Sequence, residues 1–487
     1  MTADRTGVYR HIEAHQAEHL AAIQALIRQP SVSLERQSLD SCAALMRDSL
    51  AQAGCADAAV LDVGDGYPGV FGSIACGRPA TLLVYGHYDV RPVGVEPWTH
   101  PPFEAALLPF AGFPQVVMGR GAAAKGPLQA FINAVGSMMA VAGSLPVNLV
   151  FLLEGAEIMG SPNYPALVAQ REAAVRSATA LYGPRASQDA KGAVSITLGY
   201  KGLILLELVA SGKSWGRGPA AGAVHSATNA VVDNPAWRLV QAMATLTDAT
   251  GSHFTVPALQ AALATPKPIE DWERPHLDAL AARLAAAEPN AVIPGLSPAT
   301  PVQHFRDGLS GTALLERYMY GPSMNISGLR AGYTGPGTKS FLLPDTATAT
   351  MDIRLVTETT AAEIIAILRR HLDEHGFPDV AIDARCTYDH NQTPDDADLI
   401  RAALGLLAAR GLPTSIWPMQ AYGGPWAHYG KVFGIASVQG AAPGHGARSQ
   451  TSDEFFVLQG SGPVAGLSAL ESYFVDFLDA YAATAGG

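Results

Sequence analysis

A chain of 487 residues exceeds the size at which one hydrophobic core keeps growing, so two or more domains are expected. With 48% apolar and 15% charged residues, the composition is that of a globular protein and excludes a mainly disordered chain or one built for a bilayer. A formal charge of −11, with no run of Lys and Arg, argues against nucleic acid and anionic membranes as partners.

The opening stretch MTADRTGVYRHIEAHQAEHL lacks the apolar core of a signal peptide. The cysteines, Cys42, Cys55, Cys76 and Cys386, have no metal-ligand spacing, so a reducing, cytoplasmic setting is expected. From about residue 81, short apolar runs at 81–85, 148–153 and 193–198 alternate with helical stretches at 127–143 and 163–175. That alternation predicts a parallel or mixed sheet covered by helices. Residues 130–153 carry no charge over a length able to cross a bilayer, but Asn133, Pro146 and Asn148 interrupt them, which favours a helix followed by a buried strand. After Gly202, LILLELVASG reads as a strand, 234–248 as a helix and 346–356 as a strand. A Thr360-x-x-Glu363 capping box then opens a helix that closes near Gly376, ahead of the strand VAIDARC. These elements make a small α+β unit, interrupted at 250–320 by a Pro-rich, irregular insertion. The expected organisation is a discontinuous main domain, 1–200 and 391–487, with a lid domain inserted at 201–390.

Functional groups of open α/β sheets gather at the carboxyl ends of strands. YGHYDVRP (85–92), GRGAAAKGP (119–127), LLEGAEIMGSPN (152–163) and LYGPR (181–185) all fall at such ends. Together with HGARSQTSDE (445–454), these motifs resemble the co-catalytic zinc peptidases and deacylases that include carnosine dipeptidase, acetylornithine deacetylase and carboxypeptidase G. The resemblance runs in order from about residue 15 to 475 and is weak only at 250–320. It implies an α/β fold: a mixed-sheet, zinc-peptidase-like main domain with an inserted α+β, ferredoxin-like lid.

It also implies two zinc ions on five protein ligands. His87 matches the first, with Asp89 as the neighbour that orients it. The bridging aspartate falls at Ala124, the metal-binding glutamate at Ile158, the next aspartate at Tyr182 and the last histidine at Gln450. Ala and Ile offer no donor, and neutral Tyr and Gln are poor ones. Two zinc ions roughly 3.5 to 4 Å apart need carboxylates to offset their charge, so no metal and no other cofactor is expected. Glu157 keeps the position of the general base. The resemblance also retains substrate contacts: His225 in GAVHSATNAVVDNP, which in dimeric members reaches the partner's site and stabilises the oxyanion, Asn325 in PSMNISG, and Arg354 in MDIRLV as the carboxylate anchor. The lid motif GYTGPGTKS (332–340) and the Gly-Gly-Pro turn containing Gly424 are intact, and a homodimer through the lid is implied.

Each residue also has a plainer reading. His87 and Asp89 make a hydrogen-bonded structural pair, Glu157 a cap for the helix after Pro162, Arg354 a surface ion pair and His225 a satisfied loop histidine. Tyr182 and Ile158 read as packing in the space the metals left. Lys125 and Arg448 are new cations, each read first as solvated, with Arg448, His87 and Tyr182 also kept as substrate contacts. Three functions remain. The first is a metal-independent enzyme of specialised metabolism on a small amino-acid-derived or peptide-like carboxylate, catalysing proton transfer, cyclisation, or amide formation or cleavage. In that reading a less polar pocket raises the pKa of Glu157. The second is a non-catalytic pseudopeptidase that binds a peptide. The third is a metal-dependent dipeptidase or N-acyl amino acid deacylase using one metal, or substitute ligands such as His445 and Asp453.

Overall fold

The computed structural model describes residues 5–263, 267–296, 301–333, 335 and 341–485, so 334 and 336–340 of the GYTGPGTKS motif lie outside the described residues. The chain divides into two compact units: Met1–Gly199 with Gln392–Pro418 and Pro425–Gly487, and Tyr200–Asn391 with Met419–Gly424.

The first unit is built on an eight-stranded mixed sheet. Its order is Ala59–Leu61, Gly69–Ile74, Asn148–Glu154, Thr81–His87, Ala180–Gly183, Ala436–Gly440, Val194–Thr197 and Thr414–Trp417. Thr81–His87 is buried throughout and runs parallel to both neighbours, which is why it reads as an unbroken apolar run. Gly86 lets the helix Ala122–Ala142 come close, since a Cβ there would meet Leu128 at 2.7 Å. That helix ends at Gly143, whose φ of 63° suits glycine, and the strand Asn148–Glu154 follows. Residues 130–153 are therefore a helix and a buried strand, and no described helix is long and apolar enough to cross a membrane. Phe131 meets Phe474 of the helix Leu467–Ala485 edge to face at 5.2 Å. In the same helical layer the buried Glu471 carboxylate accepts from Gln16 and Asn133 and meets His19 Nδ1 at 2.9 Å. Such donors offset the cost of burying a charge.

A smaller antiparallel sheet pairs Phe113–Met118 with Phe455–Gln459, Met118 lying opposite Phe455. Gly446–Ala447 pairs with the start of Phe455–Gln459, so the loops 119–121 and 448–454 lie at the same end of this sheet.

The second unit has a four-stranded antiparallel sheet in the order Ser323–Ala331, Thr346–Leu355, Gly202–Ser211, Ala381–Tyr388. In chain order that is 2-3-1-4, the ferredoxin-like arrangement, with the helices Pro235–Ala244 and Ala361–Glu374 as its cover. Alternate residues of the central strands, among them Ile204, Leu206, Leu208, Met351 and Ile353, form the core with Ile364 and Leu368. The Thr360/Glu363 capping box is formed in both directions.

The stretch 250–320, expected to be irregular, carries the helices Pro257–Leu263, Arg274–Ala285, Pro289–Val292 and Gly311–Tyr320. Three of its prolines, Pro257, Pro275 and Pro289, sit in the first turns of helices, where a missing N–H costs nothing. Buried Glu273 ties the segment together, accepting from Lys267 Nζ at 2.9 Å, Tyr320 Oη at 2.6 Å and the Glu270 N–H at 2.7 Å.

Candidate active site

His87 ends its strand directly opposite Glu154, so the carboxyl ends of two buried parallel strands meet. Two residues on, the buried Asp89 lies 3.3 Å from His87 Nδ1 through one oxygen and accepts the N–H groups of Glu157 at 3.1 Å and Ile158 at 3.0 Å. The tight turn Glu157–Met159 after the strand Asn148–Glu154 is therefore pinned to the His-x-Asp loop by Asp89. The Glu157 carboxylate stands 3.8 Å from His87 Nδ1, its side chain 31% exposed. On the far side of the ring, Arg185 Nη2 lies 3.1 Å from His87 Nε2.

Burial lowers the His87 pKa, but Glu157 and Asp89 outweigh burial and the opposing push of Arg185, so the direction is up. An N–H donor at Nε2, by contrast, requires the neutral ring. Carboxylates and guanidinium pull this proton in opposite directions, and the hydrogen-bond geometry is that of the neutral form with its proton on Nδ1 facing Asp89.

Beneath these groups, Glu154 is wholly buried, accepting from Tyr85 Oη at 2.5 Å and Ser161 Oγ at 2.8 Å, while its second oxygen has no partner among the described residues. Burial pushes its pKa up to about 8. A second buried carboxylate, Glu454, caps the helix Ala122–Ala142 by accepting from the N–H groups of Gly121 at 3.0 Å and Ala123 at 3.1 Å. Arg120 reaches it at 3.5 Å.

The ligand positions do not fit a zinc pair. Ala124 carries no donor, and Ile158 contributes only the N–H held by Asp89. Gln450 accepts the Arg91 N–H at 3.1 Å. Tyr182, proposed as a substrate contact at a ligand position, is corrected: its ring is packed against Phe131, Phe474 and Phe477, and its hydroxyl donates to the Gly440 carbonyl at 2.9 Å. In its strand it points to the helical face, so it belongs to the core. Among the described residues, no three His, Cys, Asp or Glu side chains converge as metal ligands would.

Lys125 is also corrected from a solvated cation to a buried one, donating to the carbonyls of Leu26 at 2.8 Å and Gln29 at 3.0 Å, with its pKa lowered by burial. Arg448 is half exposed beside Asp453 at 3.5 Å. Glu157 does not cap the helix Tyr164–Gln170, whose first turn has no side-chain cap.

The remaining candidates lie in the second unit. Arg354 Nε meets Asp352 at 3.4 Å, and Asn325 donates to the same carboxylate at 3.0 Å. His225 is exposed, accepts the Ala227 N–H at its Nδ1 and stacks near Phe341. Gly424 closes the short stretch Met419–Gly424. Arg185, Glu154 and Glu454 were not singled out from sequence. For Arg185 the signal was present, as a cation closing LYGPR just past a strand end.

Residues 220–380 match the family model described as a peptidase dimerisation domain. Beta-Ala-His dipeptidase of Homo sapiens is 26% identical over 390 residues, covering 75% of this chain and 71% of the relative. Cys-Gly metallodipeptidase of Saccharomyces cerevisiae is 24% identical over 400 residues, covering 77% and 76%. The crystal structure of an M20 family metallo-carboxypeptidase from Sulfolobus solfataricus superposes with a TM-score of 0.77 over 96% of this chain and 99% of that one, at 24% identity, a likeness that speaks for the fold alone. The strand-end motifs, the ferredoxin-like unit and these matches agree: the chain is similar to peptidases of the M20 type, and its residues 220–380 match their dimerisation domain.

Proposed function

We propose that this protein is a peptidase-like enzyme of the cytoplasm that acts on a small peptide-like or N-acyl amino acid carboxylate without a zinc pair, using Glu157, His87 and Arg185. The observation that carries this reading is the Arg185 guanidinium 3.1 Å from the His87 nitrogen that faces away from Asp89, with the accessible Glu157 carboxylate at the other edge of the ring. A fixed cation and a carboxylate base then flank one imidazole, a set suited to amide chemistry. In the cleavage direction, Glu157 takes a proton from water as its oxygen adds to the substrate carbonyl. Arg185 faces the negative charge that develops on the carbonyl oxygen. Glu157 returns the proton to the departing amine as the C–N bond breaks. Amide formation is the same sequence reversed, and the His87–Asp89 pair holds the geometry. The dipeptidase relatives support a small peptide-like substrate, and Arg354 and Asn325 are kept as the carboxylate contacts that the resemblance alone implies.

One metal-dependent alternative takes His445 and Asp453 as substitute ligands. His445 Nδ1 is 2.7 Å from the Gln188 carbonyl, and Asp453 accepts the N–H and hydroxyl of Thr99, both at 2.8 Å. The test is turnover of a panel of dipeptides and N-acyl amino acids with and without chelator, alongside metal analysis of the purified protein. Chelator-insensitive turnover that falls at least about 100-fold in Glu157→Gln is expected. Tightly bound zinc with chelator-sensitive activity, or full activity in Glu157→Gln, would overturn the reading. Binding of the panel without turnover would instead make the protein a pseudopeptidase.

A further inference from the structure

The insertion at 250–320 encloses a feature that the peptidase reading does not use. A cavity of about 400 Å³ opens among the residues that follow the helix Pro289–Val292, the helix Gly311–Tyr320 and Lys201. A second, of about 690 Å³, adjoins it, the two sharing Leu309, Arg317, Gly321 and Pro322. The smaller one is within the size range of small-molecule sites. Its charged lining consists of Lys201, Arg306 and Arg317, with no Asp or Glu, in a chain whose net charge is −11. Ile293, Leu296, Phe305 and Leu314 supply an apolar wall.

Lys201 is the unusual member. It is 3% exposed, and its ammonium donates to the Gly321 carbonyl at 2.5 Å. One carbonyl satisfies one of its three donors. No carboxylate pairs with Lys201 or Arg317 among the described residues. The charged groups bearing on the amine are Arg317, from the helix Gly311–Tyr320, and Arg354, from the strand Thr346–Leu355, and both are cations. Burial first, then these two guanidinia, lower the Lys201 pKa to about 7. An ammonium buried between two cations is unfavourable by itself and becomes favourable once an anion neutralises the cluster. Arg306 is held at the rim by the Ser252 carbonyl at 3.0 Å. Tyr318, also in the lining, has its hydroxyl fixed at 3.0 Å from the Pro294 carbonyl and 2.9 Å from Gln420 Oε1, so the wall is preorganised.

We propose that this cavity is a binding site for a small organic oxyanion, a carboxylate or phosphate on an apolar body, with Lys201 and Arg317 taking the anionic group and the wall of Ile293, Leu296, Phe305 and Leu314 taking the body. The site is made of second-unit residues alone and does not depend on the chemistry at Glu157. Binding draws a proton onto Lys201, so affinity is greatest below about pH 7 and falls as pH rises through the Lys201 pKa.

The test is isothermal titration calorimetry of the full chain with phenylacetate, phenyl phosphate and the neutral phenylacetamide, in buffers of different ionisation enthalpy. One equivalent of phenylacetate or phenyl phosphate is expected to bind with proton uptake, and phenylacetamide not at all. Whichever anion binds more tightly identifies the head group. Lys201→Met and the exposed-site variant Arg317→Gln should each weaken the anion at least about tenfold. Lys201→Arg should retain binding and lose the fall with rising pH, because a guanidinium stays charged. Equal affinity for phenylacetamide, no saturable binding of either anion, or full affinity in a folded Arg317→Gln protein would each overturn the proposal.

Discussion

Arg185 and Lys201 show how far a cation's meaning depends on its neighbours. Arg185 keeps one face on His87, where it can meet negative charge developing on a substrate oxygen. Arg185→Met is therefore expected to lower kcat/KM by at least about tenfold on whichever panel member is turned over, because a positioned donor to an oxyanion is lost. Unchanged kcat/KM would remove Arg185 from the mechanism. Lys201 instead burdens the folded state. Its folded pKa of about 7 lies below the ordinary 10.5, so below pH 7 the amine is charged in both states and the folded protein bears the whole penalty. Between pH 7 and 10.5 the unfolded chain binds the extra proton, and the contribution of Lys201 to stability rises with pH. Denaturant unfolding of Lys201→Met against the parent should show the variant's advantage largest near neutrality and shrinking toward pH 10, by on the order of a few kcal/mol. A difference that does not change with pH would place the folded pKa near its ordinary value.

At the scale of elements, local signals were legible wherever the physics is local. The Thr360/Glu363 capping box forms with Glu363 N donating to Thr360 Oγ1 at 3.3 Å and Thr360 N donating to Glu363 Oε2 at 2.8 Å. Thr360→Ala should destabilise the second unit by about 1 kcal/mol in denaturant unfolding, and no loss would mean that water replaces the cap at no cost. The buried strand Thr81–His87 was equally legible, since a short run apolar on both faces and closed by His-x-Asp has the pattern of a parallel strand covered on both sides. Tyr182 was misplaced because a motif gives a position, whereas strand alternation decides which face the side chain takes. Lys125 was misread because its acceptors, the carbonyls of Leu26 and Gln29, come from a distant helix end that no local pattern announces. The helices of 250–320 were hidden by prolines that open helices as readily as they break them.

For the whole molecule, the dimerisation-domain match at 220–380 contains a strand with an open edge. Among the described residues, Ser323–Ala331 is the last strand of its sheet, hydrogen-bonded only to Thr346–Leu355, and Ile326 and Leu329 on it are 47% and 60% exposed. An apolar edge strand left unpaired is a liability that proteins cover, and a second copy of the chain is the natural cover in a dimerisation domain. We expect a homodimer closed over this edge. Light scattering after size exclusion should give twice the chain mass for the parent and a monomer for Leu329→Asp, since an aspartate buried at such a contact has no partner to offset its desolvation. The same variant reads out His225. If that histidine serves the active site of a second subunit, as the resemblance to dimeric relatives implies, a folded Leu329→Asp monomer loses turnover along with dimerisation, and mixing it with the parent restores none. A monomer that keeps full activity would show that each chain completes its own site and that His225 is the loop histidine suggested by its bond to the Ala227 N–H.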